Sequence, residues 1–256
     1  MRIISIINQK GGVGKTTTTV NLAHALAMDN YQVTIIDLDP QGHLTTSLGL
    51  NHEEPPIDTT KGIDSVMLKQ NKMSEVTHRI RQGIQLVPAG KHLNDVEQMR
   101  EGGAGRGLIL KQAIAGQFED QDFILIDCPP SSGLLAINAL FAANEVLVPV
   151  VGDYLALCGV SKLMKTVKSF EAMANINLTT WFALTRFHPR GRLAREVMAK
   201  LNSCFPGKVL GTSVRETIAI AESPGHGKTI FEYSPRSHGA EDYRDLAQDL
   251  VHGRAM

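Results

Sequence analysis

Short apolar segments alternate with longer amphipathic segments along most of the chain. The first apolar segment, residues 2–8, is rich in β-branched side chains and predicts a buried parallel strand. Residues 18–29 follow it with the period of a helix. The apolar face of this helix is formed by Val20, Leu22, Ala23, Leu26 and Ala27.

The same alternation continues to the end of the chain. Strands are expected at residues 32–37, 84–88, 122–127, 145–151 and 178–185, with a shorter one near 209–214. Helices are expected at residues 107–117, 133–142, 155–173, 191–203 and 240–251. Residues 51–83 carry adjacent prolines and many polar side chains, which indicates a loop with short helices. Repeated strand–helix units predict an α/β fold, a doubly wound and mostly parallel sheet flanked by helices.

The segment between the first strand and the first helix reads Gln-Lys-Gly-Gly-Val-Gly-Lys-Thr-Thr over residues 9–17. Strand, glycine-rich loop and helix together are the context of a phosphate-binding loop, because glycines let successive N–H groups point into one concave nest. The positive end of the helix adds to the attraction for anions. Lys15 is expected to reach the β- and γ-phosphates, and the Thr16 hydroxyl is expected to hold Mg²⁺. The predicted phosphate-binding residues are Lys10, Gly11, Gly12, Val13, Gly14, Lys15, Thr16 and Thr17.

Two further segments place carboxylates beside this loop. The strand at 122–127 ends in Asp127, which is the Walker B pattern and predicts a metal-binding carboxylate. The second strand ends in Asp37 and Asp39, followed by a Pro-Gln-Gly turn. A capped tight turn explains such residues in most contexts, but their position next to a phosphate loop favours a role at the nucleotide. Cys128 is interpreted as a small apolar residue at a strand end.

Composition narrows the functional classes. Lysine plus arginine equals aspartate plus glutamate, 26 of each, so no global field attracts DNA or anionic lipid and any such binding needs a local patch. The chain enters a strand at once, without a signal peptide, and no apolar run approaches the roughly 18–20 residues that span a bilayer. Three scattered cysteines indicate reduced thiols. A cytoplasmic protein is expected.

The loop departs from the plain phosphate-loop pattern, since Gln9 occupies the place of the first glycine and a second lysine, Lys10, follows it. This deviant form resembles the ParA/MinD superfamily of dimerising ATPases, and in particular the ParA-type, Soj-like partition and positioning ATPases. The resemblance implies one P-loop ATPase domain over residues 1–256, ATP and Mg²⁺ as cofactors, and an ATP-sandwich homodimer in which Lys10 touches the partner's ATP. It also implies that Lys10, Lys15 and Asp39 are catalytic. Asp39 would activate the attacking water and sense the γ-phosphate, with Thr16, Asp127 and Asp39 around the metal.

The resemblance extends into the last third of the chain, where residues 213–228 and 233–240 are similar to two family segments. One departure matters. The family's Pro-Arg-Asn falls on Arg215-Glu216-Thr217, and a basic residue linked to DNA binding falls on Ala219. Residues 186–195 are nevertheless basic, and Arg190, Arg192 and Arg195 are the predicted DNA contacts. A second basic group recurs at Lys162, Lys165 and Lys168. A solvated basic helix end explains these charges equally well.

The resemblance therefore implies an ATPase with slow intrinsic turnover that binds DNA non-specifically and segregates or positions a plasmid, a chromosome or another cargo. A ParB-like or other adaptor would stimulate hydrolysis, and the protein would associate with the nucleoid. One alternative is a protein cargo, such as a chemoreceptor cluster or carboxysome, without strong DNA binding. Another is a MinD-like membrane switch. The acidic polar face of residues 241–253 argues against membrane binding. Iron–sulfur chemistry needs cysteines that are paired at a dimer face, and none are paired in this sequence. A tyrosine autokinase needs a tyrosine-rich tail, and the four tyrosines of this chain are scattered.

Overall fold

The computed structural model describes residues 1–50, 58–100 and 103–256, and in these residues one seven-stranded sheet organises the chain. The strands are β1 (Arg2–Ile6), β2 (Val33–Asp37), β3 (His78–Arg81), β4 (Ile84–Val87), β5 (Phe123–Asp127), β6 (Glu145–Val151) and β7 (Thr179–Thr185). Their order is β3-β4-β2-β5-β1-β6-β7. All neighbours run parallel except β3, which pairs with β4 in the antiparallel sense. The predicted doubly wound, mostly parallel sheet is confirmed.

Helices connect these strands and cover both faces of the sheet. They are α1 (Lys15–Met28), α2 (His43–Ser47), α3 (Ile63–Met67), α4 (Met73–Val76), α5 (Leu93–Glu97), α6 (Ile109–Ile114), α7 (Leu134–Ala142), α8 (Tyr154–Ala174), α9 (Arg192–Cys204), α10 (Ile218–Glu222), α11 (Ile230–Tyr233) and α12 (His238–His252). One aliphatic core lies beneath α3 and α5–α9, and the second lies between the sheet and α1, α11 and α12. No helix of the described residues is both long and apolar enough to cross a bilayer.

The strand predicted near residues 209–214 is wrong. That segment makes only isolated bridges, from Val209 to Phe182 and from Leu210 to Ala255. The Thr212 backbone N–H and hydroxyl both donate to the Asp249 carboxylate, at 2.7 and 2.6 Å. The chain bulges there before the Val214 N–H returns to the Leu184 carbonyl of β7, at 2.8 Å. An apolar run is therefore not sufficient for a strand when a side chain captures the backbone donor.

The segment predicted as loop and short helix holds more order than expected. Residues 51–57 lie outside the described residues, but residues 58–83 form α3, α4 and the strand β3. β3 reads His-Arg-Ile-Arg and is half-exposed, so it lacks the apolar alternation that marks a strand in the sequence. Its charged side chains suit a sheet edge, where they discourage pairing with another chain.

The central strands bring the predicted carboxylates together. β2 and β5 are buried along their whole lengths, and Asp37 at the end of β2 pairs in register with Asp127 at the end of β5. β1 lies on the other side of β5, with Ile6 opposite Asp127. The glycine-rich loop that leaves β1 consequently starts beside both carboxylates, at the carboxyl edge where α/β folds bind ligands.

Candidate active site

The glycine-rich loop curls between β1 and α1. Gly12 and Gly14 have φ angles of 72° and 83°, a region that L side chains avoid. Gly14 is also the residue before α1 and has no side-chain cap, so the first N–H groups of the helix face the loop. The Thr185 hydroxyl on β7 fixes the outer side of the loop by donating to the Val13 carbonyl at 2.8 Å. The result is an amide-lined, anion-binding concavity.

Lys15 begins α1 and is 8% exposed. Burial lowers the pKa of its ammonium group, while the nearby Asp127 and Asp39 carboxylates act in the opposite direction. The ammonium therefore lies between the anion-binding loop and the acidic strand ends. This is the environment expected of a lysine that compensates a bound phosphate.

The Asp127 carboxylate lies against the same helix end. Its Oδ2 accepts a hydrogen bond from the Thr16 hydroxyl at 2.7 Å, and its Oδ1 lies 3.4 Å from the Thr19 hydroxyl, which donates to it. The pKa of Asp127 is raised to about 8, mainly by burial and in part by the neighbouring Asp37 carboxylate. A fully buried carboxylate next to a second one is stabilised by a cation, and hard oxygen ligands suit Mg²⁺. Thr16 and Asp127 therefore fit a magnesium ion.

The two aspartates that end β2 have different surroundings. Asp37 is completely buried and accepts from the backbone N–H and hydroxyl of Thr45, at 3.2 and 3.0 Å. It also accepts from the Asp39 backbone N–H, at 3.3 Å. Asp39 instead faces the cleft, and its Oδ1 accepts from the Gln41 backbone N–H at 3.0 Å. Asp37 thus fixes the loop, and Asp39 presents a carboxylate to a ligand.

Lys10 does not line the cleft that the rest of its loop forms. Its ammonium pairs with Asp153 Oδ2, while the other oxygen of that carboxylate caps α8 by accepting from the Ala156 N–H at 2.8 Å. The Lys10 backbone N–H donates to Asn8 Oδ1 at 3.0 Å. The two lysines of the loop therefore point to different places, Lys15 into the cleft and Lys10 towards Asp153 at the start of α8.

The loop forms one end of a cleft of about 600 Å³. Its far wall includes Arg186, Val214, Glu216, Ile220, Pro224 and Tyr243. Val214, Ile220 and Pro224 offer apolar surface of the kind that packs against a planar base. Sequence reasoning did not predict these residues as a wall, although the departure at residues 215–217 marked the segment.

The predicted DNA contacts lie apart from this cleft. Arg190 is exposed in the turn before α9, and Arg192 and Arg195 are exposed in the first turn of that helix. Arg192 pairs with Glu196 one turn further on, at 2.8 Å. The predicted lysines of α8 are exposed as well. Cys128 is completely buried and burial raises the pKa of its thiol, as expected for a small apolar residue. The described residues contain no cluster of three or more His, Cys, Asp or Glu side chains arranged for a metal ion.

Comparison with known proteins decides the family. A family profile described as an AAA domain matches residues 1–180. The chain is 37% identical to the chromosome-partitioning ATPase Soj of Treponema pallidum, covering 98% of this chain and 97% of that protein. It is 36% identical to the chromosome partitioning protein ParA of Myxococcus xanthus, covering 98% and 88%. The chain belongs to the ParA family of ATPases.

A solved structure supports the same ParA fold with a different activity in its name. Cobyrinic acid a,c-diamide synthase from Mycobacterium smegmatis, solved with ADP and magnesium, superposes with a TM-score of 0.82. It is 31% identical, and the match covers 100% of this chain and 98% of the synthase. The two partition relatives are more similar in sequence. Membership of the ParA family confirms the predicted ATP hydrolase and its cofactors, ATP and Mg²⁺, while the roles of individual residues stay predictions.

Asp37→Asn is expected to change how stability depends on pH. Burial raises the pKa of Asp37 to about 7, so between about pH 4 and that value the folded protein binds a proton that the unfolded chain has released. The free energy of unfolding of the nucleotide-free protein should therefore fall as pH rises through this window. Asparagine does not titrate, so the variant should lose this pH dependence. Its NH₂ group replaces one of two accepting oxygens, and this replacement alone should lower the free energy of unfolding by a similar amount at every pH.

Urea unfolding between pH 5 and pH 8 measures this effect. The exposed Asp120→Asn serves as the control for loss of one carboxylate, and its pH dependence should follow wild type. An Asp37→Asn variant with the same pH dependence as wild type would contradict the prediction.

Proposed function

We propose that this protein is a partition or positioning ATPase that forms an ATP-sandwich homodimer, binds DNA non-specifically and releases it when an adaptor stimulates hydrolysis. The observation that carries the proposal is the separation of the two loop lysines. Lys15 faces the cleft, whereas Lys10 lies outside it on Asp153. Since Lys15 already faces the bound phosphates, Lys10 would exchange its Asp153 partner for the nucleotide of another protomer.

Different residues of the cleft would bind the phosphates, hold the metal ion and orient the attacking water. The N–H groups of residues 11–17 would bind the phosphates, and Thr16 and Asp127 would hold Mg²⁺, which neutralises the charge of the phosphate oxygens when it is bound. Asp39 would orient the attacking water, and its carboxylate is near enough to Lys15 to sense the metal and γ-phosphate. Each of these roles uses a group that is already oriented by a hydrogen bond or by burial.

The pairing of the arginines that line the cleft supports slow intrinsic hydrolysis of ATP. In the described residues the cleft is lined by two arginines, Arg186 and Arg215. Arg186 pairs with Glu216, and Arg215 pairs with Asp242 and Glu241. Neither is positioned to act as an arginine finger at the phosphate end. A stimulating group would therefore come from an adaptor, which is the role of a ParB-like partner.

Lys10→Ala tests the dimer directly. The variant should still bind ATP as a monomer, because Lys15 and the loop amides remain, but it should lose the dimer that wild type forms with a non-hydrolysable ATP analogue. Two triphosphates buried face to face without their cations leave uncompensated charge, at a cost of about 3–5 kcal/mol or more. Sedimentation velocity with the analogue and with ADP measures the difference.

Lys61→Ala is the matched control, since Lys61 is an exposed lysine away from the cleft. Equal dimerisation of the Lys10 variant and wild type would rule out the cross-subunit role. A Lys10 variant that no longer binds ATP would show that Lys10 serves its own nucleotide.

The exposed arginines of residues 190–195 and the lysines of α8 support DNA as the matrix. They lie on the neighbouring helices α8 and α9 and in the turn before α9, and a dimer would present two such faces to a phosphate backbone. This arrangement supports a cytoplasmic protein that associates with the nucleoid. Cargo would be carried by the adaptor.

Binding to duplex DNA of arbitrary sequence tests this part of the proposal. With the ATP analogue, wild type should bind DNA in a manner that weakens with salt, and ADP should abolish binding. Arg190→Ala should reduce the affinity and flatten the salt dependence by about 1–2 in the log–log slope, one contact for each protomer. Arg79→Ala, an exposed arginine on β3, is the control.

A second candidate function has one observation in its favour. Ala219 and Glu216 stand where the resembling family segment is basic, which weakens the DNA face and favours a positioning ATPase for a protein cargo. A dimer that forms with the analogue but binds no DNA would select this alternative. A membrane switch has less support, since the exposed face of α12 includes Glu241 and Asp245.

A further inference from the structure

Two oppositely charged side chains and a histidine form a cluster at the edge of the nucleotide cleft. Arg186 reaches Glu216 Oε1 through its Nε at 2.8 Å and through a terminal nitrogen at 2.6 Å. His188 Nε2 lies 2.7 Å from the other carboxylate oxygen of Glu216. One acidic group therefore engages two basic groups of the segment that leads into α9.

Glu216 carries its negative charge at neutral pH. The hydrogen bond from Arg186 is the main reason that its pKa lies below the ordinary glutamate value, and it outweighs the opposing effect of partial burial. The side chains of Arg186 and His188 are 57% and 66% exposed. Without the Glu216 carboxylate, both exposed side chains would lose this acidic partner and would lie close in sequence to the exposed Arg190.

The backbone also holds this segment in one conformation. Arg186 has a φ angle of 48°, a left-handed conformation that is unfavourable for a non-glycine residue. The Phe187 N–H donates to the Val214 carbonyl at 2.9 Å, and the Glu216 N–H donates to the Phe187 carbonyl at 3.3 Å. Paired charges and two backbone hydrogen bonds thus hold residues 186–188 against residues 214–216.

The cluster connects two sites that otherwise lie apart. Thr185 donates to the phosphate loop at Val13, Arg186 and Glu216 line the cleft, and His188 is followed closely by Arg190 on the basic face. Glu216 also stands where the resembling family segment carries arginine, so this chain has a charge of opposite sign at that place.

We propose that Glu216 is an acidic clamp on the DNA-binding face, which holds Arg186 and His188 at the edge of the nucleotide cleft and limits the number of cations presented to a phosphate backbone. The inference rests on the proposed DNA binding and names the residue that sets its strength. Since the exposed pairs contribute little to stability, removing the clamp changes what the surface binds more than how the protein folds.

Glu216→Gln removes the negative charge with almost no change of shape. The dimer then gains at least one available cation per protomer. Each additional phosphate contact adds about 0.9 to the log–log salt slope, so the slope should steepen by about 2 and the affinity at 100 mM salt should rise about tenfold. Fluorescence anisotropy of a labelled duplex of arbitrary sequence, with saturating ATP analogue for each protein, measures both quantities.

Glu222→Gln is the matched control, because Glu222 is an exposed glutamate of α10 that accepts from the Tyr233 hydroxyl rather than from a cation. The double variant Glu216→Gln with Arg186→Ala should lose most of the gain, which a general effect of net charge would not explain. Thermal unfolding of each variant confirms that it is folded.

Three results would overturn the clamp. DNA binding by Glu216→Gln that equals that of wild type would rule out the clamp and leave the proposed DNA binding intact. An equal gain in Glu222→Gln would show that net charge alone explains the effect. If neither wild type nor Glu216→Gln binds DNA while both form the dimer, the proposed DNA matrix and the clamp both fail.

Discussion

Lys15→Ala is expected to abolish ATP hydrolysis, with a loss of at least about 100-fold, the usual effect of removing one preorganised charge from a site of phosphoryl transfer. Lys15 is buried between the phosphate-binding loop and the strand ends that carry Asp127 and Asp39. Without its ammonium, a bound triphosphate would meet those carboxylates with one cation fewer. ATP binding should weaken together with turnover.

The loss should not come from unfolding. Burial lowers the pKa of Lys15, which means that the protein bears a cost for burying this charge. Alanine removes that cost along with the attraction to the carboxylates, and it continues α1 well because of its helix propensity. The thermal midpoint without nucleotide should therefore stay close to that of wild type.

Phosphate release under saturating ATP, nucleotide titration and thermal unfolding together measure the effect of Lys15→Ala. Lys228→Ala is the control, because Lys228 is an exposed lysine just beyond the far wall of the cleft. Hydrolysis by the Lys15 variant within tenfold of wild type would contradict the assignment, as would a loss of activity that is explained by a lower folded fraction.

The sequence predicts the phosphate end of this site because every signal there is local. β2 and β5 are buried along their whole lengths and end in Asp37 and Asp127, while the buried part of β1 leads into the glycine-rich loop. Gly12 and Gly14 adopt the positive φ angles that their identity allows. Parallel pairing then brings the strand ends together without further information. Strand, loop and helix were consequently correct to within about three residues.

The base end of the cleft could not be predicted in the same way. Its wall combines residues near 186, 214–224 and 243, which are far apart in sequence and share no period. The different surroundings of Asp37 and Asp39 depend on Thr45, whose backbone and side chain capture one of two similar carboxylates. The Asp153 partner of Lys10 lies 143 residues away along the chain. These are tertiary contacts, and neither the composition of the chain nor the spacing of its residues predicts them.

Asp39→Ala is expected to separate ATP binding from ATP hydrolysis. The phosphate loop, Lys15 and the Thr16–Asp127 pair are untouched, so the affinity for ATP should remain within a few-fold of wild type. Hydrolysis should fall at least about 100-fold, because the carboxylate that would orient the attacking water is gone. Removing one negative charge near the γ-phosphate favours the ATP-bound form, and the homodimer should accumulate with ordinary ATP.

The structure also predicts that the loop survives this change. Asp39 is held by the Gln41 N–H, but the turn has its own backbone hydrogen bond, from the Gly42 N–H to the Asp39 carbonyl at 2.9 Å, and Asp37 still anchors Thr45. Gln41→Ala is the matched control, because its backbone N–H, which holds Asp39, is kept while another side chain of the cleft is lost. Its turnover should fall much less.

Sedimentation with ATP, ADP and no nucleotide, beside single-turnover hydrolysis, decides between the possible roles of Asp39. A dimer that persists with ATP for as long as hydrolysis is blocked supports Asp39 as the residue that ends the ATP-bound state. A variant that hydrolyses ATP normally, or one that binds ATP but stays monomeric, would contradict it. In the second case the carboxylate would belong to the dimer contact, and the water would have to be oriented by another group of the cleft.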